Sequence, residues 1–511
     1  MTQSDQIDTL ASALVARFLR TNAFTDTLRA FIREAGLPPG VGQTSGDDTH
    51  NMTIQSLLVE KRAYDETVNF ERLGNGNQEI VSWRTPAPCK PIVIATPTSA
   101  NLLAASIELW QDPRWSEETS GDSGHVSSNG ARPLLISTGA DRQMHLLDIE
   151  PENKHVTSFS GLSDSPVLSF VPILHGRFIL MTNMSGHLLL QRGSEIACSR
   201  KDHAKYAVKV VVHEEIDHSS ASTILWIATA GWDATVFLYR VVIRPEDGDA
   251  TPNIRDPVAR INLASNPESL LFVRHVDSGE LLLLVSRRDS SYIHYYQVQP
   301  TPEPSSQSSQ NDSNQSSTPK GTTECRLLGK QNLAPHSNAW VAFSPSHMAL
   351  SPLDPGLLAV ATSSEPHMKV IIVRLLFPSA PSSGNATSST TEAAVTQASQ
   401  ALEALALQNR EDAAILIQAN TFAPQTSYST PQVAWRPDGS GVWVNGDDGV
   451  VRGIEIKTGK VVATLKQGHE PGFKVRTIWA GFVDVPGETG RKREEWLVSG
   501  GFDKKLIIWK I

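Results

Sequence analysis

The sequence predicts a mostly β protein, a seven-bladed β-propeller preceded by a short α-helical arm. Three observations predict it. Paired apolar runs rich in Val, Leu and Ile, each pair split by a polar turn, recur near residues 140, 183, 231, 288, 365, 447 and 503. A polar spacing repeats inside them, because Ser499, Asp503 and Trp509 have counterparts in Thr229, Asp233 and Tyr239. The opening forty residues carry apolar stripes at helical spacing instead.

The arm, "IDTLASALVARFLRTNAFTDTLRAFIREAGLPPG", reads as two short helices. Leu10, Leu14, Val15, Phe18 and Leu19 form one stripe, and Phe24, Leu28, Phe31 and Ile32 the other. Asn22 is placed to cap the second helix, and Gly36 with Pro38 and Pro39 to stop it. A helical pair this small exposes more apolar surface than it buries, which favours association. The arm resembles the LisH motif at Leu14, Phe18, Leu19, Asn22-Ala23-Phe24, Thr27, Leu28 and Phe31. That resemblance implies homodimerisation, with Leu14, Phe18, Leu19, Phe24, Leu28 and Phe31 at the dimer contact. The alternative is a hairpin packed on its own propeller. The arm is bounded at 7–38. A linker follows over 39–89, with a third helix over Thr53–Arg72.

The propeller is bounded at 90–511. Its last unit, "KQGHEPGFKVRTIWAGF…EEWLVSGGFDKKLIIWKI", resembles a WD40 repeat, and so does "KDHAKYAVKVVVH…TILWIATAGWDATVFLYRV". The resemblance implies two structural tetrads, His469, Ser499, Asp503 and Trp509, then His203, Thr229, Asp233 and Tyr239. A buried polar chain of this kind is tolerable only when every member is paired. The other units keep fragments: Ser137 and Asp141, Ser286, Ser290 and Tyr296, or Asp448. "SPVLSFVP", "NAWVAFSPS" and "TPQVAWRPDG" are inner-strand candidates, with "FSP" and "WRPDG" as exits. The chain stops on the third strand of its last blade. The unpartnered run "KPIVIATP" (90–97) is expected to pair with Lys505–Ile511 and cover the edge.

Long Ser-, Pro- and Gln-rich insertions at 111–132, 241–257, 299–323, 378–412 and 483–494 are expected to be disordered. Inside the fourth, Val395, Ala398, Leu402 and Leu405 fall near helical spacing, which suits either a helix that docks on a partner or a soluble Ala- and Gln-rich spacer. All the insertions fall between the first and second or the third and fourth strands of a blade, so they share one rim. The other rim stays compact and suits docking.

Composition narrows function. The net charge of -9 disfavours direct nucleic-acid binding. No apolar run approaches the ~20 residues of a membrane span, and the N-terminus does not read as a signal peptide. The isolated Cys89, Cys198 and Cys325 form neither a disulfide framework nor a metal site, which fits cytoplasm or nucleus. No Walker, H-E-x-x-H or G-x-S-x-G motif appears, and the inner strands read as largely apolar, so no catalytic residue, metal or cofactor is expected. The leading reading is a non-catalytic scaffold that dimerises through the arm and holds a protein partner on the compact face within a multiprotein complex. The alternatives are a histone-peptide reader in a corepressor-like complex and an enzyme with its site in the propeller channel.

Overall fold

Leu134, Leu135 and Ile136 are consecutive and all fully buried, and so is the run from Leu282 to Val285. Such strands lose the in–out alternation of a half-exposed sheet because both faces are covered. The computed structural model, which describes residues 3–43, 53–55, 82–111, 132–149, 154–217, 219–244, 251–299, 323–335, 343–378, 397–487 and 490–511, shows why. Residues 79–511 build seven antiparallel sheets, the blades of one ring.

The inner strands (a) of blades one to seven are Leu102–Trp110, Val167–Ile173, Ala207–Asp217, Pro267–Arg274, Ser344–Leu350, Val433–Trp435 and Val475–Gly487. Each is followed outward by strands b, c and d of its own blade. Blade three gains a fifth strand, Thr323–Glu324, parallel to Ala259–Asn262. Seven apolar clusters lie between successive blades. Trp226, Val236 and Leu238 of blade three, for example, meet Leu270, Leu281 and Leu283 of blade four. No blade buries its faces alone, so stability resides in the junctions.

The seventh junction joins the chain to itself. Lys90–Ile94 pairs antiparallel with Leu506–Lys510 in the register Pro91↔Trp509, Ile92↔Ile508 and Ile94↔Leu506. Ile94, Leu506 and Ile508 pack with Leu102 and Leu135 of blade one. The preceding residues form a strap on blade six. The Trp83 amide donates to Glu455 Oε1 at 2.8 Å, and its ring lies 5.1 Å from Trp443. A Cβ at Gly441 or Gly453 would strike that ring, so both positions need glycine.

Several expectations need correction. Ser344 opens the inner strand of blade five, so "FSP" is its entry and not its exit. The segment 483–494 is not a disordered insertion. Val475–Gly487 and Gly490–Gly501 run on as one hairpin, with Val483 facing Glu494. In 241–257, Ile254 is buried in the cluster between blades two and three. Within 378–412 the part read at helical spacing is indeed a helix, Gln397–Ala414 (α3), so only the disorder expected there is corrected, and Glu411 near its end accepts the Asn332 amide at 2.7 Å. The remainder of the insertions at 111–132, 299–323 and 378–396 lies almost wholly outside the described residues.

In the other unit, residues 1–78, α1 (Gln3–Thr21) and α2 (Thr25–Glu34) form a hairpin. Asn22 does not cap α2. Its Nδ2 donates back to the Phe18 carbonyl at 2.9 Å and closes α1, while Phe24 holds the N-cap position without a side-chain bond. Ala23 turns the chain at φ 59°, and Gly36, at φ 62°, follows the end of α2. The helix expected over Thr53–Arg72 lies outside the described residues except for 53–55.

Candidate protein-docking face

The b–c turns and the loops entering strand a share the rim opposite the insertions. Most of these turns are held to the preceding loop by polar side chains. In blade seven, His469 Nδ1 lies 3.0 Å from both Asp503 oxygens, His469 Nε2 lies 2.8 Å from Ser499 Oγ, and Trp509 Nε1 donates to the same hydroxyl at 2.8 Å. Asp503 also accepts the amides of Glu470 and Lys505. Burial pushes its carboxyl upward, but the His469 bond and these amides outweigh it, and its pKa is lowered.

Blade three repeats the arrangement with one change. His203 reaches Asp233 at 3.1 Å and Thr229 at 2.9 Å. The Tyr239 hydroxyl donates to Asp202 at 2.9 Å, and Arg200 braces Asp202 in turn. Burial and the Asp202 charge raise the phenol above its ordinary value. Blade seven thus joins all four of its tetrad residues, whereas in blade three His203, Asp233 and Thr229 form the network and Tyr239 pairs with Asp202. Each network braces one turn.

Sequence reading missed the substitutes in other blades. In blade one the Thr98 hydroxyl donates to Asp141, and His145 sits 2.7 Å from Ser158. In blade two Asn183 donates to Ser163 and Asp164 and accepts the amides of Ser185 and His187. In blade six Arg452 grips Asp448 at 2.6 Å, and Asn445 ties the turn to Thr430 and Gln432. Ser137, opposite Ala105, holds in blade one the place that Ser499, opposite Ile478, holds in blade seven. In blade four that place falls to Val285, opposite Leu270, and Ser286 sits one residue on, facing the other way, which corrects the tetrad counterpart read from its spacing. Among the described residues no histidine reaches either serine, and both hydroxyls are buried without a partner.

On this braced rim, Tyr206 and Trp232 are 39% and 40% exposed with ring centroids 5.2 Å apart. Trp232 directly precedes Asp233, so the His203–Asp233 bond fixes its turn. Tyr428 and Phe473, in the loops entering blades six and seven, are exposed too. Aromatic side chains on rigid turns lose little entropy on binding and are the usual anchors of protein interfaces. Lys201 and Lys205 flank the aromatic pair. Inside the ring the channel is polar, which corrects the apolar reading of the inner strands. Ser169, Lys209, His347, Gln432, Arg476 and Thr477 all line it. Short strands with one channel-facing polar residue in two look apolar when their buried face is counted with them.

Of the arm residues, Leu28 is buried, Leu14, Phe18, Leu19 and Phe31 are half-buried, and Phe24 is 51% exposed. Phe18 and Phe24 lie 6.5 Å apart between ring centroids, so part of the stripe faces outward as a patch.

A family model described as "UCP007778, beta-propeller domain" matches residues 108–510, and one described as "UCP007778, LisH domain" matches residues 9–41. The chain belongs to the UCP007778 family. No curated protein matches it. Among solved structures, the crystal structure of Saccharomyces cerevisiae Sqt1 is similar at 12% identity, over 81% of this chain and 97% of that one, with a TM-score of 0.46. In this UCP007778 member, no group of three His, Cys, Asp or Glu among the described residues could hold a metal ion. No described helix is long and apolar enough to cross a membrane.

Proposed function

We propose that this chain is a WD40-type, non-catalytic interaction scaffold of a multiprotein complex in cytoplasm or nucleus, dimerised by its LisH arm and docking a protein segment on the compact face. The observation that carries the docking reading is the Tyr206–Trp232 pair, exposed on a turn that His203 and Asp233 immobilise. The WD40 reading rests on the two His–Asp–Ser/Thr networks. The dimer reading rests on the apolar patch at Phe18 and Phe24. A tryptophan in a fully desolvated pocket of a partner contributes ~2 kcal/mol or more.

The test is quantitative affinity purification of the full chain against Trp232→Ala, Tyr206→Ala and an insertion-rim control, Leu405→Ser. Loss of the same co-purifying proteins from both aromatic variants, with melting temperatures unchanged and the control intact, supports the compact face. Loss only in the control moves docking to the other rim.

A further inference from the structure

Five of the seven blade junctions share a hydrogen bond around the channel wall. A side chain on one inner strand, or just before it, accepts a backbone amide from the inner strand of the next blade. The bonds run from Ala105 N to Thr477 Oγ1 at 3.3 Å, Val210 N to Ser169 Oγ at 3.3 Å, and Met348 N to Ser269 Oγ at 3.2 Å. They continue from Val433 N to His347 Nδ1 at 3.3 Å and Ile478 N to Gln432 Oε1 at 3.0 Å. The donor always directly follows the next blade's own belt residue. That register gives the two remaining belt positions, Ala104 in blade one and Lys209 in blade three. Both sit just past the same strand irregularity as Ser169, Ser269, His347 and Thr477. Alanine has no polar atom to offer. An ammonium only donates, so Lys209 cannot accept the Leu270 amide. Where the pattern asks for an acceptor, blade three places a cation.

Lys209 does not stand alone. It lines, with Arg476 and His347, a channel cavity of about 300 Å³. Burial, and then the Arg476 charge, push the Lys209 ammonium below its ordinary value, and burial lowers Arg476 as well. Burial, then Lys209, with a smaller push from Arg476, hold His347 down to about 3. His347 is therefore neutral. Its Nδ1 accepts the Val433 amide, so its proton is on Nε2 as a donor. Two carboxylates share the lining and neither balances this charge. Glu268 is bonded to Arg288 at 2.7 Å. Glu108 lies four residues past Ala104, about 13 Å along the strand toward the other rim. Two cations that repel each other in a confined channel cost stability unless an anion joins them.

We infer that the compact-face end of the channel is a binding site for a small phosphate-class oxyanion, held by the Lys209 ammonium and the Arg476 guanidinium with the His347 Nε2–H as a third donor. Arginine and lysine bond such oxygens with charge-assisted strength. The cavity volume matches the lower end of small-molecule sites. The mouth is marked by Trp232, which lines both this cavity and the surface hollow holding Lys201, Lys205 and Tyr206. The site does not depend on the docking reading.

The test uses the full chain, inorganic phosphate and pyrophosphate as probes, and sodium chloride at equal ionic strength as reference. Calorimetric titration and thermal shift are measured for wild type, Lys209→Ser and Arg476→Gln. Wild type should bind saturably, and each variant at least ~10-fold more weakly, a difference of about 1.4 kcal/mol. Lys209→Ser also restores the missing acceptor, so its melting temperature without phosphate should exceed that of wild type. In the NMR titration of wild type, bound phosphate should raise the His347 pKa. Equal action of phosphate and chloride on wild type, or wild-type affinity in Arg476→Gln, would overturn the inference. General stabilisation by phosphate salts would appear equally in all three proteins.

Discussion

Arg436 and Glu495 meet through two parallel hydrogen bonds of 2.8 and 2.7 Å, one from the turn of blade six and the other from strand b of blade seven. Both are buried, Arg436 to 1% exposure. The guanidinium also donates to the Arg84 carbonyl and lies 4.4 Å from the Trp83 ring centroid. One cation thereby joins two blades and the strap. Glu495→Ala leaves that cation only Asp438, at 3.7 Å, as a counter-ion, and should cost about 3 kcal/mol, read as a lower urea midpoint. An unchanged midpoint would mean that water replaces the carboxylate.

Trp83 fills a slot floored by Gly441 and Gly453. Trp83→Ala should cost about 2–3 kcal/mol, since the ring is only partly buried. Gly453→Ala should cost a similar amount in wild type and much less on top of Trp83→Ala, because the clash is with that ring. A double-mutant cycle measures the coupling. Additive losses would show that the glycine matters for another reason.

Asp503 has a lowered pKa in the folded ring. The unfolded value is ~3.9. Its stabilisation is therefore complete above about pH 4 and is lost as pH falls through the lower folded value. Asp503→Asn should flatten that acid limb of the stability curve and, by weakening the His469 network, lower the plateau by about 1–3 kcal/mol. Urea midpoints from pH 2 to pH 7 test both.

His347 acts in a different window. Its folded pKa of about 3 lies below the ~6.5 of an unfolded histidine, so stability is full above pH ~6.5 and drains as pH falls toward 3. His347→Gln keeps an acceptor for the Val433 amide and removes the titration. It should reduce the slope between pH 6.5 and 4, leaving the shares of His213 and His294, whose pKa values burial also lowers, and keep stability at pH 8 nearly unchanged. A slope identical to wild type would place its origin elsewhere.

The arm gives a mass prediction. Phe24→Asp puts a charge on the exposed patch beside Phe18, and the sedimentation mass of the full chain should fall from two copies of 55.6 kDa to one. Equal masses for both proteins would remove the dimer reading.

Blade number and strand pairs were legible in the sequence because apolar pairs repeat whatever their polar details. The networks at His203 and His469 were legible because histidine, aspartate and an aromatic recur at fixed spacing. Thr98–Asp141, Asn183–Ser163 and Arg452–Asp448 brace turns through different chemistries, so no repeated residue announces them. Asn22 was misassigned because a side chain that can cap the next helix can equally close the previous one. The hairpin at 483–494 was hidden by its charged residues, which suit an exposed extension as well as a loop. The Trp83–Arg436 contact joins residues far apart in the chain and leaves no local pattern. Lys209 became visible as an exception only when the hydrogen-bond register of the other inner strands defined what its position ordinarily does.

The pairing of Ile92 with Ile508 has a consequence for biosynthesis. The first of these residues leaves the ribosome about 20–80 s before the second, at 5–20 residues per second. Throughout that interval Lys90–Ile94 has no mate, and blade one presents an uncovered flank to solvent. A nascent chain in that condition is a natural client for chaperones, and ribosome stalling late in the message should leave a species that aggregates although most of its blades are already made.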